Sequence, residues 1–210
     1  MAVADLYETY HVARQDERLY LFTAIREHFG VQRGLYPGCF VHVTPSFVIP
    51  AMYYVDSDRR AQKFFTGGFA AALARQRRMY QSESEIHFHS QSYEDPLPIA
   101  DQSVDLIVSQ YAGFVSHACL RYLVRGGYLI ANNSHGDAGL AWSNPELELV
   151  AVVQRRGERF SVSTDCLSEY FIPKSPQVPT QPEELASYIR SLGRGIGYTK
   201  TASNYVFRRS

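Results

Sequence analysis

The stretch RGLYPGCFVHVTPSFVIPAMYYVDSD, residues 33–58, contains a glycine and an acid at a spacing that could hold a cofactor. Gly38 follows a short apolar run in a Pro-Gly turn, and Asp56 follows a second apolar run, AMYYV. A strand, a turn, a broken apolar run, a second strand and then acids form the layout of a nucleotide-binding crossover. One glycine stands where that layout has a glycine-rich loop. Two interpretations stay open: the segment binds a nucleotide-like cofactor, or it has only the shape.

Two histidines, His87 and His89, suggest the chemistry of a metal ion. They lie two residues apart in the run EIHFHS, and in a strand they would share one face. Imidazole is a common ligand of zinc, copper and nickel, but zinc sites in proteins have several protein ligands. No third ligand follows at an obvious spacing, so the sequence predicts no metal site.

The elements that must position these residues can be predicted from apolar spacing and from helix-start and helix-stop residues. Asp58 is placed to cap the helix that follows it. Pro45 and Pro50 restrict the run between the first two strands to a loop or a short broken helix. The predicted helices cover residues 4–29, 59–65, 69–80, 115–123 and 182–192.

Apolar runs between these helices predict the strands QRGLYPG, AMYYVD, EIHFHS, SVDLIVSQ and GGYLIANNS. Residues 147–164, with a turn at Arg156-Gly157, and the terminal YTKTASNYVFRR predict antiparallel strands. The alternation indicates a three-layer α/β/α sandwich, with a mostly parallel Rossmann-like sheet and an antiparallel C-terminal strand pair. We predict a single domain over residues 1–210, with an N-terminal helical segment, 1–30, and an α/β core, 31–210.

Composition limits the classes of partner. Lys plus Arg and Asp plus Glu are both 21, so the net charge is zero and gives no support to a nucleic-acid partner. Cys39, Cys119 and Cys166 lie far apart, which suits reduced thiols in the cytosol. The N-terminus is too polar for a signal peptide, and prolines interrupt the longest apolar stretch. We therefore expect a cytoplasmic protein without a membrane partner; its oligomeric state is not predicted.

In an open parallel sheet, ligands bind beyond the carboxyl ends of the strands. This rule selects five polar or glycine-containing groups, each just after a predicted strand: residues 36–39, 56–58, 90–95, 109–113 and 132–137.

The runs EDPLPIADQSVDLIVSQYAGF and LRYLVRGGYLIANNS resemble the second half of class I S-adenosylmethionine-dependent methyltransferases. Arg125 stands where the family prefers proline, and the short spacing from Ser109 to Gly126 implies a reduced fourth helix. The resemblance covers residues 33–134. Matching positions are Leu97, Pro98, Ile99, Asp101, Ser103, Val104, Asp105, Leu106, Ile107, Leu123, Gly126, Gly127, Tyr128 and Leu129.

The resemblance implies S-adenosylmethionine as the cofactor and places the opening stretch at the family's first motif. Tyr36 occupies the position of the usual first acid, Gly38 supplies the one glycine, and Cys39 and Phe40 stand where further glycine is normal, so the motif is degenerate. Asp56 ends the second strand, where a carboxylate accepts hydrogen bonds from both ribose hydroxyls. Tyr36, Gly38 and Asp56 are therefore candidate cofactor residues; a surface acid or a helix cap is the alternative for Asp56.

Four further residues are candidates by position. Ser92 and Tyr93 follow the third strand, where the family contacts adenine; Tyr93 either stacks on that ring or packs in the core. Ser109 and Gln110 follow the fourth strand, near the cofactor's methionine part in the family. Their alternative role is to satisfy backbone groups at the strand end.

The implied reaction is methyl transfer from a sulfonium to a nucleophile, which requires alignment and sometimes a base. His135 and Asp137, in NNSHGDA after the fifth strand, are the candidate catalytic residues, although loop polarity also explains them. SQYA replaces the Asn-Pro-Pro-Tyr motif of methyltransferases that act on amide or base nitrogens. A small-molecule or protein acceptor is therefore favoured.

Two other classes stay open. A member with the same fold could have lost catalysis and serve as a ligand-binding or regulatory subunit, as the degenerate first motif would allow. An enzyme using NAD or another nucleotide needs G-x-G-x-x-G after the first strand. The chain has only GRGIG, near Gly195 and late in the sequence.

Overall fold

The computed structural model describes residues 2–157 and 159–210. Their contacts divide the chain into two compact units, Met1–Pro98 and Ile99–Ser210, called the N-terminal and C-terminal units below. Within the described part of the chain, no helix is long and apolar enough to cross a membrane. Whether the chain acts as the predicted single domain stays a prediction.

Three parallel strands form the sheet of the N-terminal unit: β1 (Arg33–Pro37), β2 (Ala51–Val55) and β3 (Glu85–His89). β2 pairs with both neighbours, and the register places Pro37 beside Val55 and Val55 beside His89. The three strands therefore end at one level. Since Asp56 directly follows β2, its carboxylate lies at this common edge, as the strand-end rule predicts.

Three helices accompany these strands: α1 (Leu19–Phe29), α2 (Arg59–Thr66) and α3 (Phe69–Arg77). The carboxylate of Asp58 accepts a hydrogen bond of 2.7 Å from the backbone N–H of Arg60, which confirms the predicted cap. The proline-containing run between β1 and β2 forms a buried 3₁₀ turn, Thr44–Phe47, as expected for a short broken helix.

The N-terminal segment differs from the prediction of one helical stretch over residues 4–29. It consists of a 3₁₀ turn, Val3–Asp5, a π-helical turn, Glu8–Val12, and then α1. The break has a local cause, because Arg18 adopts a left-handed conformation (φ 54°) and its guanidinium bonds the carboxylate of Asp16 at 2.9 Å. A left-handed residue cannot continue a right-handed helix.

The C-terminal unit contains one parallel pair, β4 (Val104–Ser109) with β5 (Leu123–Ala131). Antiparallel strands follow: β6 (Leu147–Arg156) and β7 (Arg159–Ser163) pair with each other, and β8 (Asn204–Arg209) lies between β5 and β6. Parallel strands with crossover helices and an antiparallel C-terminal end confirm the predicted Rossmann-like α/β fold class.

The helices of this unit are α4 (Val115–Cys119), α5 (Asp137–Ser143) and α6 (Pro182–Leu192). The predicted helix over residues 115–123 is too long, since α4 ends at Cys119 and a 3₁₀ turn, Leu120–Tyr122, follows. Leu123 already belongs to β5, where it pairs with Val104 and is fully buried. Burial in the sheet thus overrides helical spacing, and the fourth helix is reduced as the resemblance implies.

Close packing of α5 against α6 gives a test of this part of the fold. A Cβ atom on Gly139 would lie 2.7 Å from Ile189 Cδ1 and 2.7 Å from the hydroxyl of Tyr198. We expect Gly139→Ala to lower the free energy of unfolding, because overpacking costs about 1–3 kcal/mol and outweighs a gain in helix propensity of about 1 kcal/mol.

Thermal and urea unfolding would measure this change against Gly197→Ala. The nearest atom to a Cβ on Gly197 is Lys174 Cδ at 3.7 Å, so this control should leave stability unchanged. Equal stability of the Gly139 variant and the wild type would show that α5 and α6 pack less tightly than the structure has them.

Candidate functional site

The carboxylate of Asp56 is held in a fixed orientation at the end of β2. Its Oδ2 atom accepts a hydrogen bond of 2.6 Å from the backbone N–H of Phe40, and its Oδ1 atom accepts one of 2.8 Å from that of Asp58. Asp56 is half-buried. A carboxylate offers about four acceptor sites, so two remain for a ligand. The residue that caps α2 is Asp58, so Asp56 is not the helix cap.

The turn after β1 has the backbone conformation of a glycine-containing loop. Gly38 (φ 62°) and Phe40 (φ 47°) both lie in the left-handed region. The backbone N–H groups of Gly38 and Cys39 donate to the carbonyl of Val55, at 2.8 and 3.4 Å. A left-handed conformation costs a residue such as phenylalanine about 1–2 kcal/mol. The hydrogen bond from Phe40 to Asp56 helps to hold this conformation.

Tyr36 is buried at the end of β1, and its hydroxyl lies 3.0 Å from Nδ1 of His42. The Nε2 atom of His42 lies 2.9 Å from the carbonyl oxygen of Glu17, which can only accept. Nε2 therefore carries the proton, and Nδ1 accepts from Tyr36. The hydroxyl of Tyr36 is thus bonded inside the protein.

Phe40 also lies between two side chains that the sequence analysis did not select. Its ring contacts Tyr10 edge-on at 4.9 Å between centroids, and the guanidinium of Arg60 lies 4.7 Å from its centre. Arg60 donates to the hydroxyl of Tyr10 at 3.3 Å. The N-terminal segment therefore packs on the same turn that Asp56 holds. Phe40 is half-buried, and no spacing along the chain indicates these contacts.

The ring of His11, in this N-terminal segment, stacks on the ring of His42, with a distance of 4.3 Å between their centroids. Burial lowers the pKa of His11 to about 4 and also lowers the pKa of His42. Both rings are therefore neutral near neutral pH. Since the unfolded chain binds protons more readily, this pair loses stability as the pH falls from about 6.5 to 4.

Ser92 and Tyr93 follow β3 in a tight turn. The hydroxyl of Ser92 accepts from the backbone N–H of Glu94 at 3.2 Å, and its carbonyl accepts from Asp95 at 3.3 Å. Tyr93 is half-buried. Ser92 thus shapes the turn, while a cofactor role for either residue stays a prediction.

In the C-terminal unit, two predicted residues come into direct contact. Asp137, the first residue of α5, is buried and accepts a 2.5 Å hydrogen bond from the hydroxyl of Ser109 at the end of β4. Ser116 of α4 donates to the same carboxylate through its hydroxyl at 2.5 Å and through its backbone N–H at 3.0 Å. Burial raises the pKa of Asp137 to about 6 despite these donors. Sequence reasoning missed Ser116.

Gln110 joins a second buried polar cluster. Its amide nitrogen donates to Asn204 at 2.7 Å and to the carbonyl of Ser109 at 3.0 Å, and its oxygen accepts from Asn132 at 3.3 Å. The cluster links the ends of β4 and β5 to the start of β8. His135, in the loop after β5, is exposed. The positions of Gln110 after β4 and of His135 after β5 are therefore compatible with the strand-end prediction. Their roles in binding or catalysis stay predictions.

His87 and His89 stack against Tyr53, at 4.9 and 6.2 Å between ring centroids. Among residues 2–157 and 159–210, no group of three or more His, Cys, Asp or Glu residues is arranged to hold a metal ion.

A cavity of about 550 Å³ lies in the C-terminal unit, between the end of α5, β6 and the start of α6. Neither Asp56 nor Asp137 lines it. The candidate cofactor residues are therefore identified by strand-end geometry and hydrogen bonding, and not by the size of a cavity.

No protein-family model matches the sequence, and a search of curated proteins finds no match. Among solved structures, the chain is similar to the O-methyltransferase from Bacillus cereus in complex with S-adenosylhomocysteine, with a TM-score of 0.51, 9% identity and coverage of 76% of this chain and 87% of that one. A methyltransferase from Thermotoga maritima, described as a possible histamine N-methyltransferase, has a TM-score of 0.45 and 15% identity over 97% and 93% of the two chains. The YcgJ protein from Bacillus subtilis has a TM-score of 0.40 and 18% identity over 58% of this chain and 54% of its own.

The likeness to the Bacillus cereus enzyme confirms the fold of class I S-adenosylmethionine-dependent methyltransferases. At this level of identity the likeness concerns the fold alone, since one fold supports many activities. The activity must be argued from the site.

The buried carboxylate of Asp137 gives a pH-dependent prediction. Its folded pKa, about 6, is above the ordinary value of 3.8, so the folded state binds more protons between about pH 4 and 6. Stability from this group is therefore lost as the pH rises through that window, by an amount on the order of 3 kcal/mol. Asp137→Asn should remove this dependence of the free energy of unfolding on pH.

Urea unfolding from pH 4 to 7 would measure the difference in free energy of unfolding between wild type and variant. The histidines contribute equally to both proteins, so their opposite dependence on pH cancels in this difference. Asp101→Asn is the control: Asp101 is exposed, and the Arg121 guanidinium lowers its pKa, so its slope should be small and of opposite sign. A wild-type slope that Asp137→Asn leaves unchanged would contradict the assignment.

Proposed function

We propose that this protein is an S-adenosylmethionine-dependent methyltransferase that acts on a small-molecule or protein acceptor. The observation that carries the proposal is the carboxylate of Asp56, which two backbone N–H groups orient at the end of β2. The fold supports it, and so does the glycine-like turn that ends at Phe40.

The residues of the N-terminal unit fit the adenosyl part of the cofactor. Asp56 has two acceptor sites left, enough for the two hydroxyls of a ribose. Gly38 lets the backbone of the turn approach a ligand without a side chain between them. Tyr93 offers an aromatic face. Ser109 and Gln110 stay candidates that the sequence resemblance implies. Tyr36 is the candidate residue that does not fit a contact with the cofactor, since its hydroxyl is bonded to His42.

When bound, the cofactor would supply a methyl group on a positively charged sulfur; a nucleophile of the acceptor would attack the methyl carbon, and the sulfur would leave as a neutral thioether. The acceptor would also release a proton if the nucleophile is a hydroxyl or an amine N–H. His135 is exposed and is our candidate to accept this proton. The oxygens of Asp137 are bonded to Ser109 and Ser116, so we assign it the positioning of those strand and helix ends.

One observation favours the second candidate, a ligand-binding or regulatory protein with the same fold. The side chain of Phe40 stands where further glycine is normal, and it packs between Tyr10 and Arg60. A bulky ring beside the turn would narrow the site. This candidate predicts weak cofactor binding, or binding without methyl transfer.

Calorimetric titration of S-adenosylmethionine and S-adenosylhomocysteine tests both candidates. We expect binding to wild type and a loss of about 10- to 100-fold in affinity for Asp56→Asn, because hydrogen bonds to a charged group contribute roughly 1.5–3 kcal/mol. Glu83→Gln is the matched control: it removes one negative charge from an exposed position just before β3 begins. Its affinity should be close to that of wild type.

Thermal unfolding of both variants would show whether the turn stays folded. Absence of binding to folded wild-type protein would overturn the proposal. Binding that both substitutions weaken equally would show that net charge, and not the oriented carboxylate, attracts the ligand. If wild type binds the cofactor but transfers no methyl group to any acceptor tested, the second candidate is favoured.

A further inference from the structure

The C-terminal unit contains two adjoining cavities that the proposed cofactor contacts do not line. One has a volume of about 550 Å³ and the other about 320 Å³. Small-molecule sites are usually 300–1,000 Å³ in volume. The two cavities share five lining residues: Ser143, Asn144, Pro145, Pro182 and Glu183. They therefore form one continuous groove between α6 and the end of α5, called the α5–α6 groove below.

One end of the α5–α6 groove is apolar. Trp142, 43% exposed, stands at this end, and its ring stacks on Phe171 at 5.1 Å with only 5° between the planes. Leu149 and Leu167 complete the wall. Glu148 also lines this end, but Arg208 bonds its carboxylate at 2.7 Å. The indole is thus held in place by Phe171, and the nearby acid Glu148 is already paired with a cation.

The other end is positively charged. Arg190 of α6 lies there beside His117 of α4, with 3.2 Å between the guanidinium Nη2 and the imidazole Nδ1. A guanidinium can only donate, so Nδ1 of His117 is the acceptor in this contact. Within residues 2–157 and 159–210, no carboxylate forms an ion pair with Arg190.

Glu183 lies at the junction of the two cavities and belongs to both. It precedes Arg190 by seven residues on α6, a rise of roughly 10 Å, so the two do not meet as an i, i+4 pair would. No ion pair to Glu183 is present in the described residues either. The groove therefore presents, in order, a cation, an acid and an apolar wall.

We propose that the α5–α6 groove binds a free amino acid with an aromatic or long aliphatic side chain. In such a molecule the carboxylate, the ammonium group and the side chain branch from one carbon, so each can face a different part of the groove: Arg190 holds the carboxylate, Glu183 holds the ammonium group, and the side chain packs against Trp142. A guanidinium pairs with a carboxylate in a bidentate manner, and an indole offers an aromatic surface for apolar packing. This site goes beyond the proposed methyl transfer and does not depend on it.

The test uses three related probes without cofactor: L-phenylalanine, 3-phenylpropionate, which lacks the ammonium group, and phenethylamine, which lacks the carboxylate. Calorimetry on the full chain should show saturable binding that is strongest for L-phenylalanine. Arg190→Gln should weaken L-phenylalanine and 3-phenylpropionate by about five- to tenfold and spare phenethylamine. Glu183→Gln should weaken L-phenylalanine and phenethylamine similarly and spare 3-phenylpropionate. Trp142→Ala should weaken all three.

Matched controls are Arg194→Gln and Asp165→Asn, since these residues carry the same charges and line neither the groove nor the cavity that adjoins it at Glu183 and Ser187. Both controls should bind like wild type. The proposal is overturned if L-phenylalanine does not saturate the folded protein, or if the controls weaken binding as much as the groove variants. It is also overturned if phenethylamine binds best, because that result would indicate an amine site without a carboxylate partner. Because no cofactor is present, failure here leaves the S-adenosylmethionine titration unaffected, and the reverse also holds.

Discussion

The N-terminal unit depends on the carboxylate of Asp56, which connects the turn after β1 to the end of β2. Its two oxygens take one backbone N–H from each side, Phe40 before β2 and Asp58 after it. One acid thereby connects two loops, the turn after β1 and the segment that enters α2. Hydrogen bonds to an ionised group are among the stronger ones in proteins, so this arrangement restricts the backbone conformations that the turn can adopt.

Asp56, just after β2, and Asp137, the first residue of α5, have different roles because their surroundings differ. Asp56 is half-buried and has acceptor capacity left, whereas Asp137 is buried with both oxygens bonded to Ser109 and Ser116. Burial raises the pKa of Asp137 toward neutrality, while its donors keep the carboxylate in one place. An acid in the first situation can bind a ligand, and an acid in the second holds together the elements around it.

Much of the fold could be predicted from the sequence, because apolar runs such as AMYYV and SVDLIVS specify buried strands whatever their neighbours are. The ends of elements were harder. Arg18 interrupts the N-terminal helix through a local bond to Asp16, and Leu123 leaves its helical pattern to pair with Val104. At the candidate site, strand ends located Asp56, Ser109 and Asp137. The contacts of Ser116 depend on how α4 meets α5, and no spacing along the chain encodes that.

Phe40 adopts a backbone conformation that is more common for glycine. The turn requires left-handed backbone at this position, and glycine supplies it without strain. Here a phenylalanine adopts the same conformation, held through its N–H by Asp56 and through its ring by Tyr10 and Arg60. Three contacts from separate segments replace the intrinsic freedom of glycine. A backbone conformation typical of glycine can therefore occur at a phenylalanine, and no residue spacing along the chain encodes it.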